Sequence, residues 1–107
     1  MATDYKNAKL DLTTTGVTTL YTAPAAKTAI FKSILVSEDS GNADTVTVTI
    51  TDASAAIFSL FKVKAVAANT AVELLSQPLV VETGEILKFT AATANRLHVV
   101  ASYLEVS

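Results

Sequence analysis

Few side chains in this sequence could do chemistry, so their types and spacing come first. His98 is the only histidine. A general base needs a carboxylate to orient it and a nucleophile to deprotonate, and no nearby spacing supplies either. It lies in an apolar run with Val99 and Val100, and reads as a structural or surface histidine. The segment Glu38-Asp39-Ser40-Gly41-Asn42-Ala43-Asp44 gathers three carboxylates and an amide, hard oxygen donors of the kind calcium takes. It lacks the length and the closing bidentate glutamate of an EF-hand loop. Turns also collect Asp, Asn and Gly for backbone reasons, so the segment reads as a connecting loop. Threonines at 45, 47, 49 and 51 could order water as an ice-binding ladder, but only this one stretch carries such a row. It reads as the solvent side of a strand. A glycine-rich phosphate loop, a paired-carboxylate motif and a serine nucleophile elbow are all missing from the sequence. With no cysteine, neither a disulfide nor a thiolate metal site can form, which fits assembly in a reducing cytosol. The expectation is a protein that is not an enzyme, with no cofactor, no metal and no small-molecule substrate.

The elements that would carry these residues follow from periodicity. Asp44 to Asp52 alternates threonine with β-branched apolar residues, the period-two signature of a half-buried strand. Val46, Val48 and Ile50 should point inward. Further strands are expected over 17–22, 29–37, 57–63, 70–75, 79–81, 85–91 and 96–106. Between them stand the turn signals Pro24, Gly41, Gln77-Pro78, Gly84 and Asn95. The run after Asp52, Ala-Ser-Ala-Ala, could open a helical turn. No segment shows helical amphipathicity, and about eight short strands at close spacing predict an all-β fold. We expect a single-domain antiparallel β-sandwich, jelly-roll-like, over 13–107, preceded by an N-terminal arm at 1–12 that could end in a short strand, with Leu10 and Leu12 at strand spacing.

Composition bounds the rest. The chain has 107 residues, half of them hydrophobic, and a net charge of −2. That is one domain with one core, and far too apolar for disorder. No basic stripe is present for nucleic acid. No apolar run approaches the roughly 20 residues of a membrane span. The first residues, with Asp4 and no apolar stretch, do not read as a secretory signal.

Three of the expected strands, 29–37, 57–63 and 97–106, carry bulky apolar residues on both faces. In an isolated sandwich the outer faces should be polar, and large exposed apolar patches mark interfaces. Central strands covered by the arm or by loops would give the same pattern. The candidate interface residues are Ile30, Phe31, Ile34, Leu35, Phe58, Leu60, Phe61, Val100 and Leu104. They point to a homo-oligomer or a subunit docked on a larger assembly.

Three segments carry a resemblance. They are Leu20-Tyr21-Thr22-Ala23-Pro24-Ala25-Ala26-Lys27-Thr28-Ala29-Ile30 with Lys32-Ser33-Ile34, Pro78-Leu79-Val80-Val81-Glu82-Thr83-Gly84-Glu85, and Ser102-Tyr103-Leu104-Glu105. In order and spacing they resemble a family of small β-sandwich virion structural proteins of tailed bacteriophages, over about residues 17–106. The family often has glycine where this chain has Ala26, which argues against a positive-φ turn there, since a Cβ would cost roughly 1 kcal/mol. Glu85 replaces the family's aspartate, a mild change. The resemblance implies a capsid decoration, or cement, protein located in the virion and assembled in the host cytoplasm. Its partners would be further copies of itself, with a trimer matching capsid local symmetry, and the major capsid protein or another virion protein. The alternative is a neck, collar or tail-tip structural or glycan- and receptor-binding module.

Overall fold

The computed structural model describes residues 3–107; Met1 and Ala2 of the expected arm lie outside the described residues. Among the described residues nine strands form: β1 (Thr3–Leu12), β2 (Thr18–Thr22), β3 (Thr28–Glu38), β4 (Asp44–Thr51), β5 (Ile57–Val66), β6 (Ala71–Glu73), β7 (Leu79–Val81), β8 (Ile86–Ala91) and β9 (Leu97–Val106). One antiparallel sheet has the order β1-β9-β3-β6, with β7 also paired to β3, and the other has the order β2-β8-β4-β5. From the inside outward, β4 pairs with β5, β3 with β6 and β7, β2 with β8, and β1 with β9. The chain is doubled into one long ribbon whose successive pairs fall in alternate sheets, which is the jelly-roll arrangement.

The core lies between the sheets, with Phe31, Ile34, Val46, Val48, Phe89 and Val99 fully buried. In β4 the expected alternation holds from Asp44 to Val48, and the threonines at 45, 47 and 49 face outward, half-buried. It fails at the end. Ile50 is only half-buried, while Thr51 is buried and its hydroxyl has no hydrogen-bond partner among the described residues.

Three sequence expectations need correction. Within the expected arm, Thr3–Leu12 is not free. Thr3 to Leu12 pairs with β9 along its whole length, and Leu12 is fully buried. Lys6 reaches inward to Glu105, 99 positions away, a partner that local pattern cannot reveal. The Ala-Ser-Ala-Ala run forms no helical turn. Asp52 Oδ1 accepts the backbone N–H groups of Ser54 and Ala56, each at 2.9 Å, closing a tight connection into β5. The turn at Ala26 keeps the left-handed conformation that its side chain disfavours, with φ 63°. Lys27 N–H donates to Pro24 carbonyl oxygen at 3.1 Å across that turn. Gly84, by contrast, supplies the positive φ of its own turn (83°) without strain.

Ala26→Gly should therefore stabilise the fold by about 0.5–1 kcal/mol, the relief of the left-handed alanine less the extra freedom glycine has when unfolded. Urea denaturation should show a higher midpoint at unchanged slope. A lower midpoint would show that the turn is held without strain.

Candidate functional site

Rows of cross-strand neighbours in register build the outer face of the first sheet. One row across it is Tyr5–Leu104–Ile30–Val80, from β1, β9, β3 and β7. A second is Lys9–Val100–Leu35–Glu73, from β1, β9, β3 and β6. A polar row, Asn7–Ser102–Ser33, lies between them. Tyr5 is 83% exposed, and Val80, Val100 and Leu35 are exposed as well. In β9 the alternation is unbroken, so Val100 and Leu104 stand outward opposite the buried Val99, Ala101 and Tyr103.

β3 behaves differently, and the reason is a bulge. Phe31 pairs with Tyr103 and Ser33 with Ser102, leaving Lys32 unpaired. An inserted residue reverses which face the following side chains take. Ala29 and Phe31 before it, and Ile34 and Val36 after it, therefore all point into the core. Phe31 and Ile34, expected at an interface, are wholly buried; Leu35 is exposed and Ile30 half-buried.

The second apolar surface is β5, the edge of the other sheet. Its pairing with β4 slips twice, opposite Val46–Val48 and Val48–Thr49, so its side chains spread over both faces. Val63 sits in the left-handed region at φ 53°, strained for a β-branched residue, and its N–H donates to Thr47 Oγ1 at 3.1 Å. Ile57, Phe58 and Val63 are exposed, Phe58 by 54%. Leu60 and Phe61 are half-buried and form one wall of a cleft of about 240 Å3 whose other wall is the β6–β7 connection, Leu74 to Leu79.

Hydrogen-bonded carboxylates, Glu105 and Glu38 buried and Glu73 exposed, brace both surfaces. Glu105, on the inner face of β9, accepts from Tyr21 Oη at 2.7 Å and Lys6 Nζ at 2.9 Å, with Lys27 Nζ 3.6 Å away. The Tyr21 hydrogen bond, then that of Lys6, holds its carboxyl below the usual range against the effect of burial. Tyr21, Phe31 and Tyr103 pack beside it at ring-centroid distances of 4.8–5.4 Å. Glu38 serves the β3–β4 loop. It accepts the N–H groups of Ser40, Gly41, Asn42 and Asn69 and the Ser40 hydroxyl. Burial pushes its carboxyl up, and these hydrogen bonds outweigh it, setting it at about 2. Glu73 accepts from Ile34 N–H, Leu75 N–H and the Ser33 hydroxyl beside the β3 bulge. Burial raises its carboxyl too, and the hydrogen bonds again bring it below normal. The acidic loop thus has a structural use, with its glutamate turned inward as a backbone acceptor. Among the described residues no group of three His, Cys, Asp or Glu side chains could hold a metal ion.

His98 has carboxylates that sequence spacing did not reveal. Its Nε2 is 3.3 Å from Asp11 Oδ1 and its Nδ1 3.5 Å from Asp39 Oδ2. Ser37 is its cross-strand neighbour on β3, so Asp11, His98 and Ser37 form a row across the sheet. The row has the residue types of a Ser–His–Asp set without its geometry. The nitrogen that should take the serine proton faces Asp39, and a flat, half-exposed sheet surface offers no enclosed oxyanion hole.

No protein-family model matches the chain, and no curated protein matches it.

Two outcomes check this assignment. Phe31→Ala should cost about 3–5 kcal/mol as a core deletion, and Phe58→Ala less than about 1 kcal/mol, both measured by urea denaturation. Equal costs would mean that β5 is packed rather than displayed. Glu38 is lower in the fold (about 2) than its ordinary 4.5, so its contribution is complete above pH 4.5 and is lost as pH falls through about 2. Glu73 and Glu105 act in the same direction. The urea midpoint should therefore drop steadily between pH 4.5 and 2, and Glu38→Gln should lower it at neutral pH while flattening that slope.

Proposed function

We propose that this chain is a non-enzymatic structural protein of a tailed-bacteriophage virion, a capsid decoration protein that stabilises the head by bridging capsid subunits. The observation that carries the reading is the apolar edge β5. Ile57, Phe58 and Val63 stand exposed there beside the Leu60–Phe61 cleft, on a chain that otherwise satisfies its buried carboxylates internally. The order of the Tyr21–Ile34, Pro78–Glu85 and Ser102–Glu105 segments, which resembles that of small phage virion proteins, supplies the setting. A jelly roll with a closed, filled core works through its surface, and a decoration protein needs only a surface.

In this mechanism the β5 edge lies across the joint between two capsid subunits. Each square ångström of apolar area removed from water contributes about 25 cal/mol. A modest footprint repeated over the whole shell then resists outward pressure without any single tight contact. The two bulges in β5 and the lysines Lys62 and Lys64 discourage uncontrolled strand addition at this edge.

The test is to purify particles of a tailed phage whose genome encodes this chain, separate heads from tails, and quantify the chain in each by mass spectrometry. Decoration requires a copy number comparable to that of the major capsid protein, confined to heads. Phe58→Asp should abolish attachment to heads while leaving the far-ultraviolet circular dichroism unchanged. A few copies confined to tails would replace this reading with a neck or tail-tip role, and absence from the particle would end it.

A further inference from the structure

We infer that the outer face of the β1-β9-β3-β6/β7 sheet is a self-association surface, and that its occupant is a second copy of this chain packed face to face about a two-fold axis. The surface is separate from the β5 edge, and the inference stands whether or not the virion reading does.

The two registered rows are ordered so that each can pair with its own reverse. Place the axis in the interface, parallel to the strands, between β9 and β3. It then exchanges the two sides of the sheet while keeping each row in line with itself. The row Tyr5–Leu104–Ile30–Val80 meets its own reverse, so Leu104 covers Ile30 of the second copy and Tyr5 covers Val80. Every member of that row is apolar or aromatic. The row Lys9–Val100–Leu35–Glu73 is positive at one end, apolar in the middle and negative at the other. Reversed on itself, it sets Val100 against Leu35 and each Lys9 against a Glu73, twice over. A two-fold interface must be self-complementary, and this row is so in charge as well as in hydropathy.

The side chains are poised for it. Lys9 is exposed and has no ion-pair partner among the described residues. Glu73 is exposed but held in place by its three hydrogen bonds, so meeting a cation costs it little ordering. The middle row, Asn7–Ser102–Ser33, is small and polar, which leaves room for the bulge residue Lys32 and for bridging water. Face-to-face sheets pack about 10 Å apart and within about 30° of alignment. The paired face spans four strands and the length of β1, roughly 500 Å2 per copy from strand spacing and rise. The total, about 1,000 Å2, is at the lower bound for a specific interface, so the dimer should form and dissociate with concentration.

Sedimentation velocity on the intact chain tests this, since the monomer is 11.2 kDa and a dimer twice that. We expect a concentration-dependent monomer–dimer equilibrium that weakens as salt rises. Lys9→Glu places like charges at both ends of the interface and should raise the dissociation constant at least tenfold. Val100→Glu, in the apolar centre, should abolish the dimer, and both exposed positions should leave the circular dichroism unchanged. Because the chain has no cysteine, Val100→Cys and Leu35→Cys proteins can be mixed and treated with a short bismaleimide. Cross-linking should favour the mixed pair over either identical pair. A monomer at every concentration, a trimer, a dimer indifferent to Lys9→Glu, or preferential Val100→Cys self-linking would each overturn the inference.

Discussion

Side chains on a strand alternate between its faces, so one inserted residue sends everything beyond it to the opposite side. In β3 that residue is Lys32, and the sandwich depends on it. β3 pairs with β6, β7 and β9, meeting the last two at Phe31. Because the bulge falls between Phe31 and Ser33, Phe31 joins Tyr21 and Tyr103 at one end of the core while Ile34 and Val36 still point inward further along. Without it, either the aromatic cluster or the Ile34–Val36 pair would face water. Glu73 and the Ser33 hydroxyl then occupy the gap that the bulge opens beside β6 and β7.

The same logic explains the buried charges. Glu38 and Glu105 fall on inward positions of β3 and β9, near opposite ends of their pairing, and each is satisfied there in a different way. Glu105 is matched by a tyrosine and two lysines arriving from β1, β2 and the β2–β3 turn. Glu38 is matched almost wholly by backbone N–H groups of two connections. A buried carboxylate without such partners would be expelled or neutralised. These two therefore tie distant segments to the ends of the core. Glu105 also explains why the first strand is not an arm, since Lys6 must lie beside it.

Much of this was open to reading. The alternation in 44–51 and in 97–106 marks β4 and β9 together with most of their facing, because in both stretches strand parity runs on without an insertion. The glycine turn at 84 and the breaks at Pro24 and Pro78 follow from backbone chemistry alone. In β9 the side chains of Val100 and Leu104 alternate with the buried Val99, Ala101 and Tyr103, because nothing interrupts the period. Phe31 and Ile34 were misplaced because a bulge has no distinctive residue here: Lys32 is ordinary in a strand. The carboxylates flanking His98 were missed because Asp11 and Asp39 reach it from other elements.

The sequence by itself determined the class of fold, the approximate strands, the absence of thiol chemistry, and the surplus of apolar side chains over what one small core can enclose. These are local or additive properties, set by period, turn chemistry and composition. The tertiary structure alone decided which of those apolar residues are enclosed and which displayed, that Thr3–Leu12 supplies a strand, and that Lys9, Val100, Leu35 and Glu73 fall in one row. Those outcomes depend on register between strands far apart in the chain, and register is set by the mutual fit of whole faces, which no local stretch contains.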